Sequence, residues 1–169
     1  APLDFVEEEA GDAADAEGWP RTLRAIAAQS HNQARGAEEP EATPEKGPWR
    51  ITLDYPSFIP FMQHSRNREQ REEVYRAYIT TASSGEWDNS DLIARTLKLR
   101  REKVGLLCFD TYADFSLDAK MAPSVAAVDR MFDELSSASL PFSGKDFHEL
   151  EALAKESGED EPLEKWDLS

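Results

Sequence analysis

Few side chains in this sequence are of types that do covalent or metal chemistry, and their spacing limits what they could do. Cys108 is the single cysteine, so neither an intramolecular disulfide nor a thiolate zinc site can form within the chain. It lies in Leu106-Leu107-Cys108-Phe109, a setting that predicts a buried, inert thiol rather than a reactive nucleophile. Ser83-Ser84-Gly85 and Ser136-Ser137 have no histidine at readable spacing, which leaves a Ser-His-Asp site unsupported. Carboxylate pairs such as Glu72-Glu73 and Glu7-Glu8-Glu9 carry no burial cue and read as solvated faces. None of the eight glycines forms a phosphate-cradling loop. By this reading the chain has no catalytic residue of its own.

The elements that would position any site are helices. Asn67 caps a predicted helix running to about Ala82, with Val74, Tyr75, Tyr78, Ile79 and Ala82 along one side. Asp88-Asn89-Ser90 offers several caps for a helix from about Asp91 to Leu107. Its residues Leu92, Ile93, Leu97, Leu99, Val104, Leu106 and Leu107 make an apolar surface broad enough to be sandwiched between neighbours. Ala122-Pro123-Ser124 begins another helix, through Val125, Val128, Phe132 and Leu135, whose end Ser136 to Ser139 loosens. Further helices are expected from about Lys145 to Lys155 and from about Arg21 to Ala34. The stretch GPWRITLDYPSF (Gly47 to Phe58) differs: prolines restrict the residues before them, Ile51 and Thr52 are β-branched, and Ser57 is placed to start a helix. Trp49 to Leu53 is the one strand candidate. The fold class is therefore mostly α, an antiparallel or irregular helical array with one short strand-like segment.

Charge maps the organisation. The 169 residues carry 19 Lys+Arg against 34 Asp+Glu, a net −15, which argues against nucleic acid as a partner. Residues 1–20 hold seven acidic side chains and no Lys or Arg. Residues 1–17 thus read as an acidic, flexible arm before a helical segment, 18–169. Residues 66–103 mix nine basic with seven acidic side chains, as exposed faces of packed helices do. Residues 36–47, with Pro40, Pro44 and four glutamates, read as a loop. No apolar run approaches the roughly 20 residues that span a bilayer. The chain begins with Ala1 rather than Met, as expected if an upstream segment was removed or was simply left out of the sequence.

The ordered strings GPWRITLDYPSFIPFMQHSRNREQREEVYRAYITTAS, Asp88-Asn89, LIARTLKLRREKVGLL, Tyr112-Ala113, Lys120-Met121-Ala122 and Leu163-Glu164-Lys165-Trp166-Asp167 resemble the thimet oligopeptidase and oligopeptidase A family of zinc metallopeptidases. The likeness is strongest to the plant and cyanobacterial organellar type, and it covers roughly Pro20 to Leu168. Such a family implies hydrolysis of short peptides, a zinc held by two histidines of an H-E-x-x-H helix and a downstream glutamate, and a deep channel admitting unstructured peptides. Residues 18–169 resemble the part upstream of that helix. The His-Glu pair here, His148-Glu149, has Ala152 where the second histidine would stand. His31 sits at a polar helix end, and His64 belongs to a structural string. Neither a catalytic nor a metal site is expected in this chain, and it alone is expected to be inactive.

The resemblance implies an architectural role. Trp49 and Tyr55 would be packing anchors, Asp54 a cap or turn acceptor near Ser57, and Phe58, Tyr75, Tyr78 and Trp166 structural or interface residues. Cys108-Phe109-Asp110 stands where the family more often has a glycine-containing turn. Without the remainder, part of the Leu92 to Leu107 helix and the Phe58 to Met62 segment would expose apolar faces, so a protein partner is expected. That partner is the remaining catalytic half, a homologous chain or another subunit, and peptides bind only if the rest of the channel is present. The alternative role is a truncated family member serving as a structural or interaction subunit of a larger organellar assembly. By the same likeness the compartment is plastid or mitochondrion, or otherwise a soluble intracellular one.

Overall fold

The computed structural model describes residues 16, 18–158 and 161–168. The expected acidic arm thus lies outside the described residues, apart from Ala16, which is buried. Six α-helices follow in order: α1 Arg21–Ala34, α2 Tyr55–His64, α3 Arg68–Ile79, α4 Ser90–Leu106, α5 Tyr112–Leu117 and α6 Val125–Glu156. Two compact units are formed, one from residues up to Thr81 together with those from Leu163, the other from Ala82–Pro162.

The first unit owns the core. Leu23, Ala27 and Ala28 of α1 meet Phe58, Phe61 and Met62 of α2 and Val74 of α3. Trp19 packs edge-on against Phe61 with ring centroids 5.3 Å apart and leans on Trp49 at 6.1 Å, a geometry favoured by the ring quadrupoles. The loop of residues 36–47 is tied to α1 by paired bonds, Asn32 Nδ2 to Ala42 O and Ala42 N to Asn32 Oδ1, both 2.8 Å. His31 Nε2 lies 3.1 Å from Pro40 O. The Trp49 indole N–H donates to Thr43 O, which lets the ring be buried without an orphaned donor.

The strand candidate at residues 49–53 does not become a strand, and no strand occurs among the described residues. Its amides are taken elsewhere: Arg50 N donates to Ala27 O and Thr52 N to Ser57 Oγ. A lone segment has no second strand with which to build a ladder. Helix α2 then starts at Tyr55, with Pro56 in its first turn, where a missing N–H costs nothing. Asp54 is its N-cap without a side-chain capping bond. Its carboxylate instead accepts from Thr52 Oγ1 at 3.3 Å, so its turn-forming contribution is its backbone carbonyl, which accepts from Ser57 N and Phe58 N.

Helix α3 is capped as the sequence predicts, with Asn67 Oδ1 accepting from Gln70 N. In the second unit, Asp88 Oδ1 accepts from Ser90 N at 2.8 Å at the start of α4. Those bonds from Ser90 hold the Asp88 carboxyl below the usual carboxylate range. The separate helices expected on either side of Ser136 to Ser139 are one continuous helix, α6, running through Pro141. Proline removes one ladder bond, and the turns on both sides carry the helix across it. Helix α5 was not anticipated; Thr111 caps it by accepting from Asp114 N while donating to Asp114 Oδ2.

Of the five described residues with a left-handed backbone, two bear on packing and exposure. Cys108, at φ +60°, follows α4 in a Schellman arrangement, with Phe109 N bonded to Val104 O and Cys108 N to Gly105 O. The turn pushes its thiol outward, so the expected buried cysteine is exposed. Gly18, at φ +90°, approaches the His64 carbonyl so closely that an added Cβ would lie 3.1 Å from it. Replacement of Gly18 by Ala is expected to destabilise the first unit by about 1–2 kcal/mol, read by urea unfolding followed through tryptophan fluorescence. Cys108 is expected to react fully with a thiol reagent in the absence of denaturant; a thiol that reacts only after unfolding would contradict its placement.

Candidate protein interface

Two features stand out among the described residues: a charged clasp that closes the first unit, and open apolar faces on the second. The clasp begins with a local signal. Glu164 and Asp167 form a reciprocal capping box around the 3₁₀ turn Lys165–Asp167, which fixes the Asp167 carboxylate. Arg68, from the first turn of α3, donates from Nε and Nη2 to Asp167 Oδ2 at 3.0 and 2.9 Å. Arg71, one turn on, donates from Nη2 to Asp167 Oδ1 at 2.6 Å, from Nε to Trp166 O and from Nη1 to Ser65 O. The Asp167 side chain is 6% exposed, against 23% and 15% for the two arginines. The pair is thus well shielded from solvent. Burial pushes the Asp167 carboxyl up, but the bonds from Arg68, the Glu164 amide and Arg71 outweigh it and hold the group below the usual carboxylate range.

The aromatic candidates distribute unevenly around this clasp. Trp166 lies against Tyr75, centroids 6.0 Å apart, with the Arg76 guanidinium 5.0 Å from its ring. Phe58 stacks on Tyr78 at 4.2 Å, and Trp49 is in the core. Tyr55 is 68% exposed on the first turn of α2. Its hydroxyl accepts from Tyr78 Oη at 3.5 Å, and contact with Tyr55 raises the Tyr78 phenol above its ordinary value. Most of the Phe58 to Met62 segment is covered too, since Phe58, Phe61 and Met62 are core residues and Ile59 alone is an exposed large apolar side chain there.

The second unit reverses this picture. Val104 is its one buried hydrophobic residue among those described. Helix α5 packs on α4 through Tyr112 and Phe115, with Arg100 and Lys103 4.9 and 4.7 Å from their rings. Among the described residues the sandwich expected for α4 is not completed, and Leu92, Leu99 and Leu106 are 60%, 54% and 85% exposed. Helix α6 presents Phe132, Leu135, Leu140, Phe142 and Leu153 to solvent in the same way. These are large apolar side chains left open to solvent among the described residues.

The described residues assemble no group of three His, Cys, Asp or Glu that could hold a metal ion. His148 Nδ1 approaches Gly144 O of its own helix at 2.6 Å. An open depression of about 400 Å³ lies beside Asp114, Lys120 and Ser124, but the Lys120 ammonium is engaged by Ser116 Oγ at 2.7 Å. No helix among the described residues is long and apolar enough to cross a membrane.

The described residues thus form mostly helical units, the first closed by the Trp166-Asp167 element. Comparison with known proteins supplies the family. The profile of Peptidase family M3 matches residues 61–169, and the chain belongs to that family. It is 43% identical over 160 residues to the probable cytosolic oligopeptidase A of Arabidopsis thaliana, covering 94% of this chain and 22% of that protein. The organellar oligopeptidase A, chloroplastic/mitochondrial, of the same plant is also 43% identical, with 94% and 20% covered. Oligopeptidase A of Escherichia coli is 37% identical over 164 residues, with 94% and 22% covered. The chain therefore spans about a fifth of the length of the curated relatives it matches.

Sequence reasoning missed Arg68 and Arg71 as partners of Asp167. The Glu164-x-x-Asp167 spacing was a readable capping signal, whereas pairing across 99 residues has no local signature. Asp167→Asn is expected to destabilise the first unit by about 2 kcal/mol at pH 7. Because the folded carboxyl is depressed, its stabilisation is present above the unfolded value near 4 and lost as pH falls through the folded value. Urea denaturation of both proteins should therefore differ at pH 7 and converge as pH falls through the folded carboxyl's value; a pH-independent difference would contradict the clasp.

Proposed function

We propose that this chain is the helical, non-catalytic portion of an oligopeptidase A/thimet-type zinc metallopeptidase, a protein that hydrolyses short peptides. The observation that carries the reading is the match of 94% of the chain to oligopeptidases of which it makes up about a fifth. The open apolar faces of α4 and α6 support it, because they are the surfaces that the remainder of such a protein would cover. The role is architectural: the first unit is a self-contained support, and the second offers helices as wall for a peptide channel completed elsewhere. The zinc that the family implies finds no ligand set among the described residues, and no step of hydrolysis is assigned to them. The organellar relative favours plastid or mitochondrion, while the cytosolic relative matches at the same identity; imaging a fluorescent fusion of the native gene product distinguishes the two.

The test is a chimera in which this chain replaces the matching segment of the Arabidopsis probable cytosolic oligopeptidase A. The expected result is a folded protein that cleaves short quenched-fluorescent peptides within about tenfold of the parent kcat/KM. A chimera that folds but has lost cleavage altogether would overturn the architectural reading.

A further inference from the structure

The open face of α4 has a pattern that specifies what covers it. Leu92, Leu99 and Leu106 recur every seven residues and so form one stripe along the helix. Lys103, four residues beyond Leu99 and three before Leu106, borders that stripe on the side where its ammonium and the Arg100 guanidinium meet the rings of α5. Arg95 and Glu102 fall within the stripe, each three residues beyond a leucine. Helix α4 carries five cations against two carboxylates in a chain of net charge −15. Arg95, Lys98 and Arg101 make no ion pair with any described residue.

We propose that the Leu92–Arg95–Leu99–Leu106 face of α4 docks an acidic amphipathic helix supplied by the part of the peptidase outside the matched segment. The inference rests on the function proposed above and adds the docking element and the chemistry of its partner. Leucines at seven-residue spacing fit the knobs and holes of a facing helix better than a loop or a sheet. Covering Arg95 with apolar surface alone would strand a buried guanidinium. The partner must therefore set a carboxylate opposite Arg95, and a cation near Glu102, between its own apolar residues. A second copy of this chain is disfavoured as occupant, because two molecules of charge −15 repel. The relatives supply the alternative directly, since about four-fifths of their length lies outside the matched segment.

The experiment introduces Leu99→Glu and Arg95→Glu separately into the chimera and into the chain alone. In the chain alone, both should leave helicity and mass unchanged by circular dichroism and light scattering. In the chimera, both should lower Tm by several degrees, and the Arg95→Glu deficit should shrink on raising salt to about 0.5 M as the charges are screened. An active chimera indifferent to both substitutions overturns the docking proposal while leaving the architectural one standing. A folded, inactive chimera that still responds to both supports the docking and overturns the architecture. A dimeric chain made monomeric by Leu99→Glu assigns the face to a second copy and overturns the proposal. Should the chimera not accumulate, the chain is titrated in trans with the relative's complementary portion. A complex weakened at least about tenfold by either substitution supports the docking, and no complex, or one indifferent to both, overturns it.

Discussion

Two guanidinium groups closing on one carboxylate give the first unit its shape. Arg68 and Arg71 lie one turn apart on α3, and Asp167 is delivered to both of them by a capping turn almost a hundred residues later. Joining distant segments costs chain entropy that grows only slowly with the intervening length. Shielded, charge-assisted hydrogen bonds together with the packing of Trp166 on Tyr75 and Arg76 can offset it. The clasp therefore sets the unit's boundary: α1, α2, α3 and the returning turn share a core, and residues 82–162 form the intervening second unit.

The two units divide the physical work. The first buries its aromatic and aliphatic side chains against one another, so its stability is internal. Its counterpart has α5 wedged against α4 and otherwise displays leucines and phenylalanines to water. Among the described residues its hydrophobic burial amounts to Val104, too little to offset the entropy of ordering a helix as long as α6. The chain spans about a fifth of the length of its oligopeptidase relatives, and it joins a unit with an internal core to one whose apolar helices are exposed.

Local rules were the legible part of the sequence. The bounds of α1 and the Asn67 cap of α3 follow from periodicity and capping chemistry, which act over a few residues. The split of α6 failed because serines and a proline weaken a helix without ending it when both flanks propagate well. Residues 49–53 have strand-like composition but no partner strand. Burial of Cys108 was inferred from its apolar neighbours, whereas the Schellman turn after α4 decided its exposure. The family resemblance singles out Trp166, which lies against Tyr75. The arginines that hold Asp167 were not, because sequence distance hides them.

Native-state hydrogen exchange on the isolated chain tests the division most directly. Amides of α1, α2, α3 and the Lys165–Asp167 turn are expected to exchange together and slowly, near the rate of global unfolding, while those of α4 and α6 exchange orders of magnitude faster. Equal protection of α4 and α6 with α1 to α3 would mean that the chain covers its own leucine faces, and the claim of an unfinished second unit would be wrong.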